Sequence, residues 1–440
     1  METSEAGGQR ISLPDVWSHD PVCVEAIERN RKMHPAAIPI RTLPLTAEVA
    51  LRKVGLVLDN DQGIMAAHQP LPYSEWDRAS RADVISKGPG ALSTFAAAIS
   101  SNERPERILA STRHLQTTGL VEHCLVIHGR PAGVDELRRV HSGELIETLT
   151  ACQACDPIYI LGVSTRFNTI FMNQHSVDAA LFAAGSTIQA TQAVINEDVD
   201  SAVCIVRPSG HHAECTCSMG FGLYNTVAIA AANAVECQGV KRVLIVDWDI
   251  HHGNGTQEAF VADNRVLYFS AHGMYIYPAF VRDSQMEKQG SGFVGMPPLG
   301  EGFSCNCAWS QEGYGDADYA ALWENLLVPI AKEYDPELVI VSAGFDSAAG
   351  DEEGYLISPR GYAYLLSQLM ALANGKIVVV LEGGYNIPAI SHGLHACVAT
   401  LMNAADIAVS KADLGTPKPQ ALEDIRSTIA AQQQYWKCLQ

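Results

Sequence analysis

Seven short runs of apolar, largely β-branched residues punctuate this chain, at 54–58, 158–163, 202–206, 243–246, 266–269, 338–341 and 377–381. Each is apolar throughout instead of at alternate positions, so both of its faces need cover. A parallel sheet sandwiched between helices supplies that cover. Helical patterns fall between the runs. Residues 225–237 are alanine-rich and stop at Gly239, and 318–332 are amphipathic. Residues 359–374 have Ser358 as N-cap, Pro359 in the first turn and Gly375 as a stop signal. The expectation is an α/β fold: a doubly wound, mostly parallel sheet with helices on both faces. One domain is expected over 51–410, preceded by an N-terminal extension at 1–50 and followed by a C-terminal helical tail at 411–440. Pro70, Pro72, Gly88 and Gly90 mark 60–100 as a loop or insert region.

Composition narrows the function classes. Hydrophobic residues make up 47% of 440, enough for a large core, yet no stretch approaches the roughly 18 apolar residues of a membrane span. The N-terminus Met1-Glu2-Thr3-Ser4-Glu5 is polar and acidic, unlike a signal peptide. The expected location is therefore intracellular, nuclear or cytoplasmic, with the 12 cysteines as free thiols. A net charge of −19 argues against nucleic-acid binding and favours cationic partners such as lysine-rich peptides or polyamines. Cys152-x-x-Cys155, Cys215-x-Cys217 and Cys305-x-Cys307 do not combine into a zinc-finger spacing and read as structural.

In open parallel sheets, ligands bind beyond the carboxyl ends of the strands. Here the run at 202–206 leads into Arg207-Pro208-Ser209-Gly210-His211-His212, and that at 243–246 into Asp247-Trp248-Asp249-Ile250-His251-His252-Gly253-Asn254. The run at 266–269 leads into Ser270-Ala271-His272, that at 338–341 into Ser342-Ala343-Gly344-Phe345-Asp346, and that at 377–381 into Glu382-Gly383-Gly384-Tyr385. An Asp-x-His pair lies on one face of an extended segment. Asp249, His251 and Asp346 together offer two carboxylates and an imidazole to a divalent ion. Such a set leaves a position open, which marks a catalytic zinc site, not a structural one.

These residues, with Arg104-Pro105-Glu106-Arg107, Val140-His141-Ser142 and Gly220-Phe221-Gly222-Leu223-Tyr224-Asn225, carry a resemblance. Over roughly 50–400 the chain resembles the zinc-dependent histone deacetylases of class II, which share the arginase fold. The resemblance implies zinc on Asp249, His251 and Asp346. It implies His212 as general base and later acid, His211 paired with Asp247, and Asn254 holding His212 where other classes use a carboxylate. Tyr385 then hydrogen-bonds the substrate carbonyl. Phe221, Gly220 and Tyr277 line the lysine channel, Arg107 lies at its foot and Glu353 at its mouth. A structural potassium ion is implied at Asp247, Asp249, His251, Ser270 and Ala271. The implied substrates are acetylated lysines in histones or other proteins.

The chemistry stands beside that resemblance. An amide is a poor electrophile and neutral water a poor nucleophile; zinc lowers the pKa of water towards ~7 and polarises the carbonyl. A neutral histidine can move the proton, and a tyrosine can donate to the developing oxyanion. An arginase-type two-manganese site needs further carboxylates where this chain has Gly253 and Ala348, so one metal is expected. Loss of a ligand or of the tyrosine would have marked an inactive scaffold, and none is lost. Glu353, following Asp351 and Glu352, is the departure that bears on substrate. Most lysine deacetylases have an apolar residue there, whereas polyamine deacetylases have Glu, so an acetylpolyamine is the alternative substrate.

Overall fold

The computed structural model describes residues 52–59, 65, 102–278, 302–403 and 409–440. All fall in one compact unit, Leu45–Gln440. The expected N-terminal extension and, Met65 apart, the 60–100 segment lie outside the described residues.

Among the described residues, eight strands form one sheet: β1 (Val54–Val57), β2 (Leu125–Val126), β3 (Ser201–Cys204), β4 (Val243–Asp247), β5 (Val266–Gly273), β6 (Ser304–Trp309), β7 (Leu338–Ala343) and β8 (Ile377–Leu381). Their order is β2-β1-β3-β8-β7-β4-β5-β6 and every pairing is parallel. All but β2 are buried at every position, as continuous apolar runs require; this includes β6, whose sequence Ser-Cys-Asn-Cys-Ala-Trp is not such a run. Parallel crossovers are right-handed, so connections running in opposite directions along the sheet fall on opposite faces. The links β2→β3→β4→β5→β6 run one way, and β1→β2 and β6→β7→β8 run the other. The packing agrees. Ser176–Ile195 lies against Thr226–Cys237 on one face, and Glu106–Thr117, Ile387–Leu401, Pro359–Leu369 and Asp316–Leu322 pack in succession on the other. The doubly wound expectation is borne out.

Some elements differ from the sequence reading. The run at 158–163 is no strand; it lies in the helix Pro157–Ser164. Asp156 caps that helix by accepting the N–H groups of Ile158 and Tyr159, Pro157 sits in its first turn, and the side chains of Ile158 and Tyr159 are exposed. The amphipathic helix begins at Asp316 and passes through a π segment, Trp323–Leu327, before Val328–Tyr334. The helix after Ser358 ends at Leu369, with Ala373–Gly375 forming a separate 3₁₀ turn. Cys305 and Cys307 are buried in β6, and the described cysteines are free thiols. The helix Pro419–Gln432 closes on β6, where Gln432 donates to the Ser304 carbonyl and Asp424 accepts from Ser310 and Tyr314. Among the described residues, no helix is long and apolar enough to cross a membrane.

Sheet order has a direct consequence for the site. The five strands that end in reactive residues, β3, β8, β7, β4 and β5, are consecutive neighbours, so those ends form one continuous rim.

Candidate active site

Asp249, His251 and Asp346 meet at this rim, with one ligand atom from each lying within 4.8 Å of the others. The Asp-x-His pair lies just past the end of β4, so hydrogen bonds orient it instead of the pleat of a strand. The Asp249 carboxylate accepts the N–H of His251 at 2.9 Å and that of Gly383 at 2.8 Å, and Asp346 accepts that of Ile250 at 2.9 Å. The His251 Nδ1 lies 3.2 Å from Asp249 Oδ1 and 3.0 Å from Asp346 Oδ2. A Cβ at Gly344 would collide with the Asp249 carboxylate, and one at Gly383 with both carboxylates, so only glycine lets the backbone approach this closely.

The electrostatics ask for a cation. Asp249 and Asp346 are fully buried. Burial and the neighbouring Asp249 charge push Asp346 up to about 7. Burial opposes the charge of Asp249 as well, yet His211 and His251 hold it well below the usual carboxylate range. For His251, burial is outweighed by hydrogen bonds to the two carboxylates, which hold it well above an ordinary imidazole. Two oxygens and one imidazole nitrogen, with adjacent negative charge, fit a borderline divalent ion such as zinc.

The tandem histidines follow β3, with ring centroids 4.0 Å apart, and they are held in different states. His211 Nδ1 lies 3.0 Å from Asp247 Oδ2, which also accepts from the Tyr268 hydroxyl at 3.0 Å. Burial disfavours its charge, but Asp249 and Asp247 prevail and push it up to about 10. His212 Nδ1 lies 2.9 Å from Asn254 Oδ1. The Asn254 amide donates to Glu214 Oε1 at 2.8 Å, which fixes its oxygen towards the imidazole. His212 thus carries its proton on Nδ1 and presents the Nε2 lone pair. Burial, then the charges of His211 and His251, hold it well below the ordinary value, so it is neutral.

Tyr385 follows the turn Gly383-Gly384, where Gly384 has φ +101°. Burial pushes its phenol well above the ordinary range, Arg107 opposes, and the Asp346 and Asp249 charges add to the rise, so the hydroxyl remains a donor. Phe221 lies edge-on to it, 6.1 Å between ring centroids. The Tyr277 ring centroid stands 4.9 Å from that of His212 and 6.3 Å from that of His251, which places the ring beside the two histidines. Gly220, with φ +56°, packs so closely on the His212 ring that a Cβ there would overlap it. Arg107 lies behind the tyrosine, donating to the Gly384 carbonyl at 2.6 Å, with its guanidinium 5.2 Å from the Tyr385 ring centroid. Glu353 Oε1 lies 3.4 Å from His251 Nε2 and remains partly exposed. Asp247 and Ser270 lie side by side across β4 and β5, with Ala271 next along β5.

Three carboxylates were not assigned a role from the sequence. Glu382 accepts the N–H groups of Gly210 and His211 at 2.7 and 3.2 Å, tying the end of β8 to the histidine loop. Glu103 is shared by Arg107 and Arg207, all three buried. Asp351 accepts the N–H groups of Tyr385 and Asn386. Their only signal in the sequence is proximity to motifs already noticed. His141 is structural: its Nε2 accepts the N–H of Asn225 and its Nδ1 donates to the Glu214 carbonyl, and burial pushes it down to about 4.

An α/β domain with a buried Asp-His-Asp group and paired histidines at its strand ends presents the side chains that a metal-dependent hydrolase requires. The comparisons make this specific. The family described as the histone deacetylase domain matches residues 101–401. The human polyamine deacetylase HDAC10 is 40% identical over 343 residues, covering 77% of this chain and 50% of its own. Histone deacetylase 18 of Arabidopsis thaliana is 39% identical over 350 residues, covering 77% and 49%. The crystal structure of the HDA15 HD domain superposes with a TM-score of 0.72 at 31% identity, covering 88% of this chain and 98% of that one. The chain belongs to the histone deacetylase family, alongside its class II members. It spans about half the length of the curated relatives it matches.

Proposed function

We propose that this chain is a zinc-dependent deacetylase that hydrolyses the acetyl amide of Nε-acetyl-lysine in histones or other proteins. The observation that carries the reading is the pairing of a buried Asp-His-Asp group with two adjacent histidines, one backed by the Asp247 carboxylate and the other by the Asn254 amide. Asp249, His251 and Asp346 would hold the zinc. When bound, zinc supplies Lewis acidity, polarising a carbonyl and making water a nucleophile at neutral pH.

The protein's own groups do the rest. His212 Nε2 takes a proton from the attacking water and returns it to the leaving lysine amine. His211, charged against Asp247, adds positive potential beside the developing anion. The Tyr385 hydroxyl donates to the carbonyl oxygen as charge builds on it. Phe221, beside Tyr385, and Tyr277, beside His212, would flank the four-carbon stem of the substrate lysine. Arg107 holds the carbonyls of Glu382 and Gly384, and through them the tyrosine turn. A potassium ion at Asp247, Asp249, His251, Ser270 and Ala271 belongs to the same reading, supported by the alignment of Asp247 with Ser270 across adjacent strands.

Glu353 favours a second reading, an acetylpolyamine substrate, because a carboxylate at the mouth attracts a second ammonium group. The relative HDAC10 is named a polyamine deacetylase. The test is turnover of an acetyl-lysine peptide beside N8-acetylspermidine by the zinc-loaded protein and by Glu353→Leu. We expect the peptide to be preferred and the ratio to change less than about threefold in the variant, Glu353 being already paired with His251. A preference for the polyamine that collapses in Glu353→Leu would put the second reading first.

A further inference from the structure

Tyr385 depends on a turn built from two glycines, and its function requires placement to a fraction of an ångström. The turn is pinned upstream: Phe345 donates its N–H to the Gly383 carbonyl at 3.0 Å, and Arg107 donates to that of Gly384. Both contacts act before the tyrosine. Its own N–H, and that of Asn386, go to one oxygen of Asp351, each at 2.7 Å. The other oxygen accepts the N–H of Glu352 at 2.8 Å, and Asn386 Nδ2 returns a bond to the Gly350 carbonyl at 2.7 Å. Asn386 is also the N-cap of the helix Ile387–Leu401, accepting from Ala389.

Resting on the deacetylase reading above, we infer that Asp351 is the positioning residue for Tyr385, clamping the tyrosine backbone so that its hydroxyl meets the substrate carbonyl. An ionised carboxylate is acceptor-only, and the N–H groups around it present only donors, so the match is complete. The carboxylate is nine-tenths buried, which removes the competition of water. The clamp also joins the turn to the segment carrying Glu353, two residues on.

The experiment is a double-mutant cycle of Asp351→Asn and Tyr385→Phe, read as kcat and KM on an acetyl-lysine peptide, with bound zinc and the denaturation midpoint measured for each protein. Asparagine keeps the shape but turns an N–H₂ edge towards an N–H donor. In the parent background it should lower kcat by about 10–100-fold, the typical cost of a misplaced catalytic group, with KM within about twofold and zinc content unchanged. In the Tyr385→Phe background it should cost nothing further, because the hydroxyl it positions is gone. Should Asp351→Asn prove too unstable to assay, Asp351→Glu, which keeps the charge but displaces it, should give the same kcat-selective, non-additive loss. An equal loss in both backgrounds, or a loss in KM alone, overturns the inference. A Tyr385→Phe protein with full turnover instead overturns the role of the tyrosine itself, and the inference falls with it.

Discussion

Tyr385→Phe should fold like the parent, keep the parent's metal content, and lose about 10²–10³ in turnover, the usual cost of deleting an oxyanion donor. The basis is specific. The phenol is held well above its ordinary range, first by burial, so at neutral pH it is a donor and not a phenolate. The ring keeps its contacts with Phe221 and Arg107 when only the oxygen is removed, so packing changes little. kcat on an acetyl-lysine peptide, together with metal analysis of the same preparation, checks it. Undiminished turnover with metal present would remove the tyrosine from the mechanism.

Glu103→Ala should cost about 3–5 kcal/mol of stability, because it takes away the carboxylate that two buried guanidinium groups share. Arg107, Arg207 and Glu103 are all fully buried, so the charge left behind is exposed to no screening water. Glu136→Gln is the control. Its bond to Arg130 sits at a partly exposed site, and its loss should cost less than about 1 kcal/mol. Urea unfolding of the two variants against the parent measures both. Equal midpoints for the variants would mean that the buried triad contributes no more than a surface pair. Glu103→Ala should also reduce turnover, since Arg107 supports the Gly384 carbonyl.

The sequence made the sheet legible because β3, β4, β5, β7 and β8 are buried on both faces, which forces an unbroken apolar run. The same signal misled at Pro157–Ser164, where apolar composition alone does not separate a strand from a helix. Asp156 and Pro157, a cap followed by a first-turn proline, were the deciding marks. β2 is two exposed residues long and leaves no pattern to read. The metal group, the histidines, Asn254 and Tyr385 were legible because their chemistry is written in contiguous motifs. Glu103, Asp351 and Glu382 were not. Glu103 pairs with Arg107 four residues on, but its second partner, Arg207, lies 104 residues away, and Asp351 and Glu382 bind backbone amides 34 and 172 residues away, which every residue possesses. A carboxylate that binds main chain leaves no complementary residue to find.

Asp249 and Asp346 stand together in the interior, and that arrangement would make a bound ion a participant in folding as well as in the proposed catalysis. An unfolded chain separates the two carboxylates by nearly a hundred residues and has no comparable affinity for the cation. Mass action then adds RT ln(1 + [M]/Kd) to the stability of the native state, about 2.7 kcal/mol when free metal reaches a hundred times its dissociation constant. Metal supply would thus set how much of this chain is folded, through the same two oxygens that set how fast it works.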